Sequence, residues 1–311
     1  MAVLLKDRFN FLTGVARNSN IAYFLAVSNN LTKDEDELAN SHVFEWNNKK
    51  WKGHLELNWE ATSICVCHIP REQMVVLGRE GQVVIAGQGE IYTEDIFSNT
   101  ESEELSSFRE VREIVDKAYA VGMDYSVYRR DGRNQWIHIN NGLSLETSKV
   151  VGFESVHGFS ESDIYAVGWN GEIWHYNGIL WSQVNSPTNL ILTKVLCAGD
   201  GYVYACGQAG ILLRGKKNRW EIIEQDETDE DFWDIEWFNG KLYISTIQFL
   251  YTLKDDLLVL EDFNGEIPET CYHLSSADGV MWSIGAKDIV VFDGNEWTPL
   301  DMDIGFDMGA D

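Results

Sequence analysis

One four-residue phrase, Tyr-Ala-Val-Gly, returns along the chain at nearly constant intervals. Tyr119-Ala120-Val121-Gly122, Tyr165-Ala166-Val167-Gly168 and Tyr204-Ala205-Cys206-Gly207 are close copies. Tyr243-Ile244-Ser245-Thr246 and Trp282-Ser283-Ile284-Gly285 are looser ones. Their last residues fall at 122, 168, 207, 246 and 285, in steps of 46, 39, 39 and 39. Trp136, Trp181, Trp220 and Trp297 each follow a copy by 12 to 14 residues, after the turn pairs Asp131-Gly132, Asn177-Gly178, Lys217-Asn218 and Asp293-Gly294. Fainter copies lie upstream at Phe24-Leu25-Ala26-Val27, with Trp51, and at Val75-Val76-Leu77-Gly78.

The stretch Asp163–Trp181 (DIYAVGWNGEIWHYNGILW) shows what one unit contains. An alternating strand ends in Gly168, a second follows Asn170-Gly171, and a third begins after Asn177-Gly178. Asn-Gly between alternating apolar runs is a strong hairpin signal, because both central residues of a type I′ turn need φ > 0. A short meander cannot bury both of its faces alone, so it must stack on its own copies. A period near 40 built of four strands is the spacing of propeller blades.

The spacing predicts an all-β fold: a seven-bladed β-propeller of four-stranded antiparallel blades, with residues 1–311 as a single domain. The expected blades are 9–57, 61–96, 108–140, 153–186, 191–225, 232–264 and 270–300. Phe108–Lys117, at the start of blade 3, also fits a short helix, since Phe108, Val111 and Val115 keep a 3–4 spacing. Blade 7 has its own fourth strand, so the ring can close without borrowing one, although Met1–Lys6 leaves that open.

The units resemble bacterial propeller repeats of the form D-x-Y-A-V-G-x-x-G-x-I-x-x-x-N-G-x-x-W, and are similar to the Trp-Asp and photosystem-assembly-factor types of propeller. The match is close in blades 4 and 5, fair in 3 and 7, and poor in 1, 2 and 6. The resemblance implies a rigid ring that serves as an interaction platform. It also implies one specific role, since small cytosolic propellers of this look act as immunity proteins beside secreted bacterial toxins. It identifies no partner, because propellers host many functions.

Net charge narrows the partners. With 24 Lys and Arg against 50 Asp and Glu, the formal charge is −26. Nucleic acid and anionic membranes would be repelled, and a basic protein attracted. Solubility is the plainer explanation of such acidity. No apolar run reaches the length of a membrane-spanning helix, and MAVLLKDRFNFLTG lacks the apolar core and cleavage site of a secretory signal. Five cysteines, an odd number, fit a reducing cytosol. The expected protein is therefore cytoplasmic, and monomeric apart from its partner.

Strand direction alternates within a blade, so b–c and d–a connections emerge on one side of the ring. Three acidic segments map there: Asp34, Glu35, Asp36 and Glu37 in a b–c insertion, Glu101, Glu103 and Glu104 in a d–a loop, and Asp226, Glu227, Asp229, Glu230 and Asp231 in another. Glu172, Glu266, Glu269 and Asp301-Met302-Asp303 extend them. Arg129, Arg130, Arg133, Lys216, Lys217 and Arg219 are assigned to the opposite side. Trp233, beside the third segment, and Trp169, in a b–c turn, are contact candidates, because aromatic residues next to charge make interface hot spots. Trp237 reads instead as packing between blades, and the four recurring Trp as structural.

Catalytic signals are sparse. No nucleophile elbow, zinc-protease, phosphate-loop or dinucleotide motif is present. In Cys65-Val66-Cys67-His68 the two thiols face opposite to His68 on a strand, so core thiols are expected rather than a metal site. Asp301–Asp307 has calcium-loop spacing without the closing Glu, and reads as a terminal tail. No metal or cofactor is expected. The alternative function is a carbohydrate-active enzyme using channel carboxylates, with Asp234 and Glu236 of blade 6 as the pair.

Overall fold

Alternating apolar residues and tight turns give seven four-stranded antiparallel sheets, each running a-b-c-d in chain order. This computed structural model describes residues 4–29, 40–98, 106–144, 150–263, 265 and 268–303. The innermost strands are Phe9–Asn18, Ala61–Cys67, Phe108–Ile114, Phe153–Ser160, Leu192–Cys197, Asp234–Phe238 and His273–Ala277. Each packs against the innermost strand of both neighbours, and the first packs against the last, so the ring is closed. Seven apolar cores, one in each seam between adjacent blades, hold it together.

Each blade owns its four strands. Closure between blades 7 and 1 uses contacts rather than a shared strand: Leu5 N–H donates to Met302 O (2.9 Å), Phe11 N–H to Ala286 O (2.9 Å) and the Trp51 indole to Asp301 O (2.8 Å). Thus part of the acidic tail is docked, whereas residues 304–307 lie outside the described region.

The recurring glycine has a steric cause. A Cβ on Gly168 would lie 2.1 Å from Gly152 O, one on Gly207 2.1 Å from Ile191 O, and one on Gly285 2.0 Å from Thr270 O. Strand b ends pressed against the backbone that enters strand a, and only glycine allows that approach. The recurring Trp opens strand d and is anchored by its indole N–H, as in Trp181 to Ile139 O (2.7 Å) and Trp136 to Glu94 Oε2 (2.9 Å).

Three local expectations need correcting. Phe108–Ile114 is a strand, not a helix, because Val115 and Asp116 both adopt φ > 0 (48° and 70°) and fold the chain directly back onto Lys117–Gly122. At Asn177-Gly178 only the glycine has φ > 0, because the Asn177 side chain accepts the N–H groups of Ile179 and Leu180 and closes a wider turn. Asn170-Gly171 does have φ > 0 at both residues (58° and 69°). Finally, Arg130 is not a surface charge: it lies fully buried in the seam between blades 2 and 3, bonded to Glu94.

Candidate protein-binding face and central channel

The acidic segment Asp226–Asp231 connects blade 5 to blade 6 and is tied down by side chains at both ends. The amide nitrogen of Gln225 donates to Thr228 O (2.7 Å) and Gly210 O (3.1 Å), while its Oε1 accepts from Glu227 N (3.0 Å) and Thr228 N (3.2 Å). The Thr228 hydroxyl oxygen accepts from Glu230 N (3.1 Å), and Asp231 Oδ1 accepts from Ala209 N (2.8 Å). The loop backbone is therefore held in place, and the Asp231 carboxylate with it. Among the described residues none of Asp226, Glu227, Asp229, Glu230 or Asp231 makes an ion pair with Lys or Arg.

Carboxylates at the other end of the blades are more often paired. Glu72 bonds Arg17 (2.6 Å), Asp131 bonds Arg129 (2.7 Å), Glu161 bonds Lys117 (2.9 Å), Asp256 bonds Arg214 (2.6 Å), and Glu90 bonds Arg71. On the b–c and d–a side, Glu60 bonds Arg79, and Glu154 lies 3.5 Å from Arg109. Asp34–Glu37 and Glu101, Glu103 and Glu104 lie outside the described residues, as does Glu266.

Trp169 sits half-buried in a b–c turn, its indole N–H donating to Glu154 Oε1 (2.7 Å). Trp233, also half-buried, stacks on Tyr272 with ring centroids 5.0 Å apart. The turn Thr246–Phe249 between strands b and c of blade 6 runs beside this stack: Trp233 N–H donates to Ser245 O (2.9 Å) and Cys271 N–H to Ile247 O (2.8 Å). Ile247 and Phe249 in that turn are 44% and 37% exposed. Sequence reasoning missed Ile247, Phe249 and Tyr272, since a single apolar residue in a turn carries no periodic signal.

Asp234 and Glu236 do not join the acidic rim. Both line the central channel, a cavity of about 480 Å³ bounded by the inner strands, and Trp237 lines it too. Lys194 Nζ bridges Glu110 Oε1 (2.8 Å) and Asp234 Oδ1 (3.4 Å), and His273 Nδ1 lies 3.4 Å from Asp234 Oδ2. Ile235 N–H and Leu274 N–H also donate to Asp234 (2.8 and 3.1 Å). Burial opposes the charge on Asp234, yet Lys194 and His273 outweigh it and hold the carboxyl at about 2. Burial pushes Glu236 up to about 7, with the Ser276 hydroxyl donating to it (3.0 Å). The pair thus sits in the channel as the enzyme alternative required, but both oxygens of Asp234 already hold protein partners.

Cys65 and Cys67 are buried in the seam between blades 2 and 3. Burial raises both thiols, Cys67 to about 11, as befits core residues. His68 stands apart from them, with Nδ1 2.8 Å from Glu113 Oε1 and 3.9 Å from Asp116 Oδ1. These three are the one cluster of potential metal ligands among the described residues. The hydrogen bond to Glu113 raises the His68 pKa.

The fold defines the class first: a closed β-propeller of seven four-stranded blades. No protein-family model matches the chain. Among solved structures it is similar to YCF48 bound to D1 peptide, with a TM-score of 0.67, 12% identity and 94% of each chain covered. It is also similar to the WD40 propeller domain of Doa1, with a TM-score of 0.64, 10% identity, and 96% and 95% covered. At such identities the likeness is one of fold. A nearer relationship extends over nearly the whole length: 47% identity across 304 residues to the immune protein Tsi7 of Pseudomonas aeruginosa, covering 96% of this chain and 99% of that protein. The chain belongs to the family of the immune protein Tsi7.

Proposed function

We propose that this chain is an immunity protein that neutralises a cognate bacterial toxin by binding it and masking its active site, without catalysis of its own. The full-length kinship with an immune protein carries this reading. We further assign the contact to the b–c and d–a side of the ring, centred on Asp226–Asp231, with Trp233 and Trp169 as aromatic contacts and Asp34–Glu37 and Glu101–Glu104 adding charge. Carboxylates with no Lys or Arg partner among the described residues keep their field available to an incoming protein, so the toxin surface that docks here is basic. The protein acts in the cytosol, as a monomer until it meets the toxin. No described helix is long and apolar enough to cross a membrane.

The test is co-expression with the cognate toxin. Growth should be restored by the wild type, and purified proteins should form a stoichiometric complex. Changing Asp226, Glu227, Asp229 and Glu230 to their amides should slow association by about 10-fold or more at low salt and flatten its salt dependence. Unaltered association kinetics would remove the acidic loop from the interface.

A further inference from the structure

The acidic loop borders an apolar patch that charge alone does not explain. Tyr251, buried on strand c of blade 6 (Leu250–Lys254), has its pKa raised mainly by burial, with Thr228, Glu230 and Glu227 of the acidic loop acting on it too. Its ring is 6.4 Å from that of Phe249. Ile247, two residues earlier, is bonded through its carbonyl to Cys271, the neighbour of Tyr272, whose ring stacks on Trp233. Backbone bonds therefore tie the turn that carries Ile247 and Phe249 to the chain around both residues of the stack, at Trp233 N and at Cys271 N. The turn is rigid: Thr246 Oγ1 accepts from Phe249 N (2.9 Å) and Gln248 N (3.2 Å), and Cys271 Sγ lies 3.6 Å from Gln248 O.

Thr246 stands where other blades carry the recurring glycine, and its side chain is what forms this turn. In blades 4 and 5 the same b–c turn reads Trp169-Asn170-Gly171 and Gln208-Ala209-Gly210, with φ > 0 at its last two residues. Blade 6 thus departs from its repeat where it presents two exposed aliphatic and aromatic side chains. Interfaces combine such a centre with a polar rim, the centre supplying most of the energy.

We propose that Ile247 and Phe249, backed by the Trp233–Tyr272 stack, form the energetic centre of the toxin interface, and that they receive an apolar side chain of the toxin that is ringed by lysine and arginine. This rests on the immunity reading above and narrows it to one sector of the ring. Charge complementarity names the occupant. The acidic segment runs through Phe232 directly into Trp233, which bonds Ser245 O beside the turn, so a toxin surface must neutralise its carboxylates to bring an apolar group onto Phe249. Rim charge governs arrival and the apolar centre governs residence, so the two should separate kinetically.

The experiment measures association and dissociation rates of the cognate toxin, in catalytically inactive form, with wild type, Ile247→Ala/Phe249→Ala, and Phe249→Arg. Leu257→Ala/Leu260→Ala serves as control, since those side chains are 66% and 56% exposed on the outer strand of the same blade. The expected result is at least about 30-fold faster dissociation for both patch variants with little change in association for the double alanine, and no effect of the control. Both patch positions are partly exposed, and thermal midpoints confirm folding. Wild-type-like dissociation in the patch variants overturns the proposal while leaving the immunity reading intact. Failure of the wild type to bind overturns both. A purified wild type that is dimeric, and made monomeric by Phe249→Arg, shows that a second copy occupies the patch, and also overturns the proposal.

Discussion

Arg130 grips Glu94 with two parallel hydrogen bonds, Nε to Oε2 and Nη2 to Oε1, each 2.8 Å, and neither side chain reaches solvent. The pair crosses the seam between blades 2 and 3. Glu94 also accepts from the Trp136 indole (2.9 Å) and Asn134 N (3.1 Å), and Arg130 donates to the Tyr92 hydroxyl (3.1 Å). Burial opposes the charge on Arg130, but its bonds to Glu94 hold the pKa above the ordinary value.

Removing one partner should therefore be far worse than removing both. Glu94→Leu or Arg130→Met should each cost about 3–5 kcal/mol, since either leaves an uncompensated buried charge. The double variant Glu94→Leu/Arg130→Met should recover most of that loss. Urea unfolding of the four proteins checks it, and additive losses would show that the pair is not coupled.

Glu236 gives the fold a pH dependence of predictable sign. Its ordinary value is 4.5, and burial in the channel lifts it to about 7. Between those values the folded state holds a proton that the unfolded chain has released, so stability falls as pH rises through the window and levels off above it. Asp234, held at about 2, acts below this range, losing its contribution as pH falls from 3.8 toward 2. Glu236→Gln should flatten the curve, gaining on the order of 2 kcal/mol near pH 8 and little near pH 4.5. Urea titrations at several pH values measure it, and an unchanged slope would place the proton elsewhere.

The repeat was legible because its letters answer to constraints that recur in every blade. Gly168, Gly207 and Gly285 meet the same backbone clash. Trp136, Trp181 and Trp297 are all buried at the outer strand. Blade 6 lost both letters and still read as a blade, since its alternation through Lys241–Leu253 survived. What the sequence hid was pairing across the ring. Nothing local distinguishes Arg129, paired two residues away with Asp131, from Arg130, whose partner is 36 residues distant. Asp234 could be placed at the channel from its inner strand, but its partner Lys194, 40 residues away, could not.

The outer tryptophans should differ in weight according to burial. Trp181 is 1% exposed, packs against Tyr176 at 5.1 Å and Phe153 at 5.9 Å, and reaches back to blade 3 through Ile139 O. Trp220 is only partly buried, and its indole bonds Lys217 O in its own hairpin. Trp181→Ala should cost about 3–5 kcal/mol, whereas Trp220→Ala should cost about half as much or less. Equal losses in denaturant midpoint would contradict this.

Gln225 is the residue on which the order of the acidic loop depends. One side chain satisfies four backbone groups, donating to the carbonyls of Gly210 and Thr228 and accepting from Glu227 and Thr228. Like charges crowd together from Asp226 to Asp231, so their repulsion pulls the loop open and Gln225 opposes it. Gln225→Ala should release Glu227 and Thr228, speeding their amide exchange at least about 10-fold while Leu192–Cys197 and Asp234–Phe238 stay protected. Net charge is unaltered, so toxin association should hardly change. Dissociation should quicken, since the loop must now be ordered on binding. Association and dissociation both as in the wild type would mean that the loop contributes only its charge and not its shape.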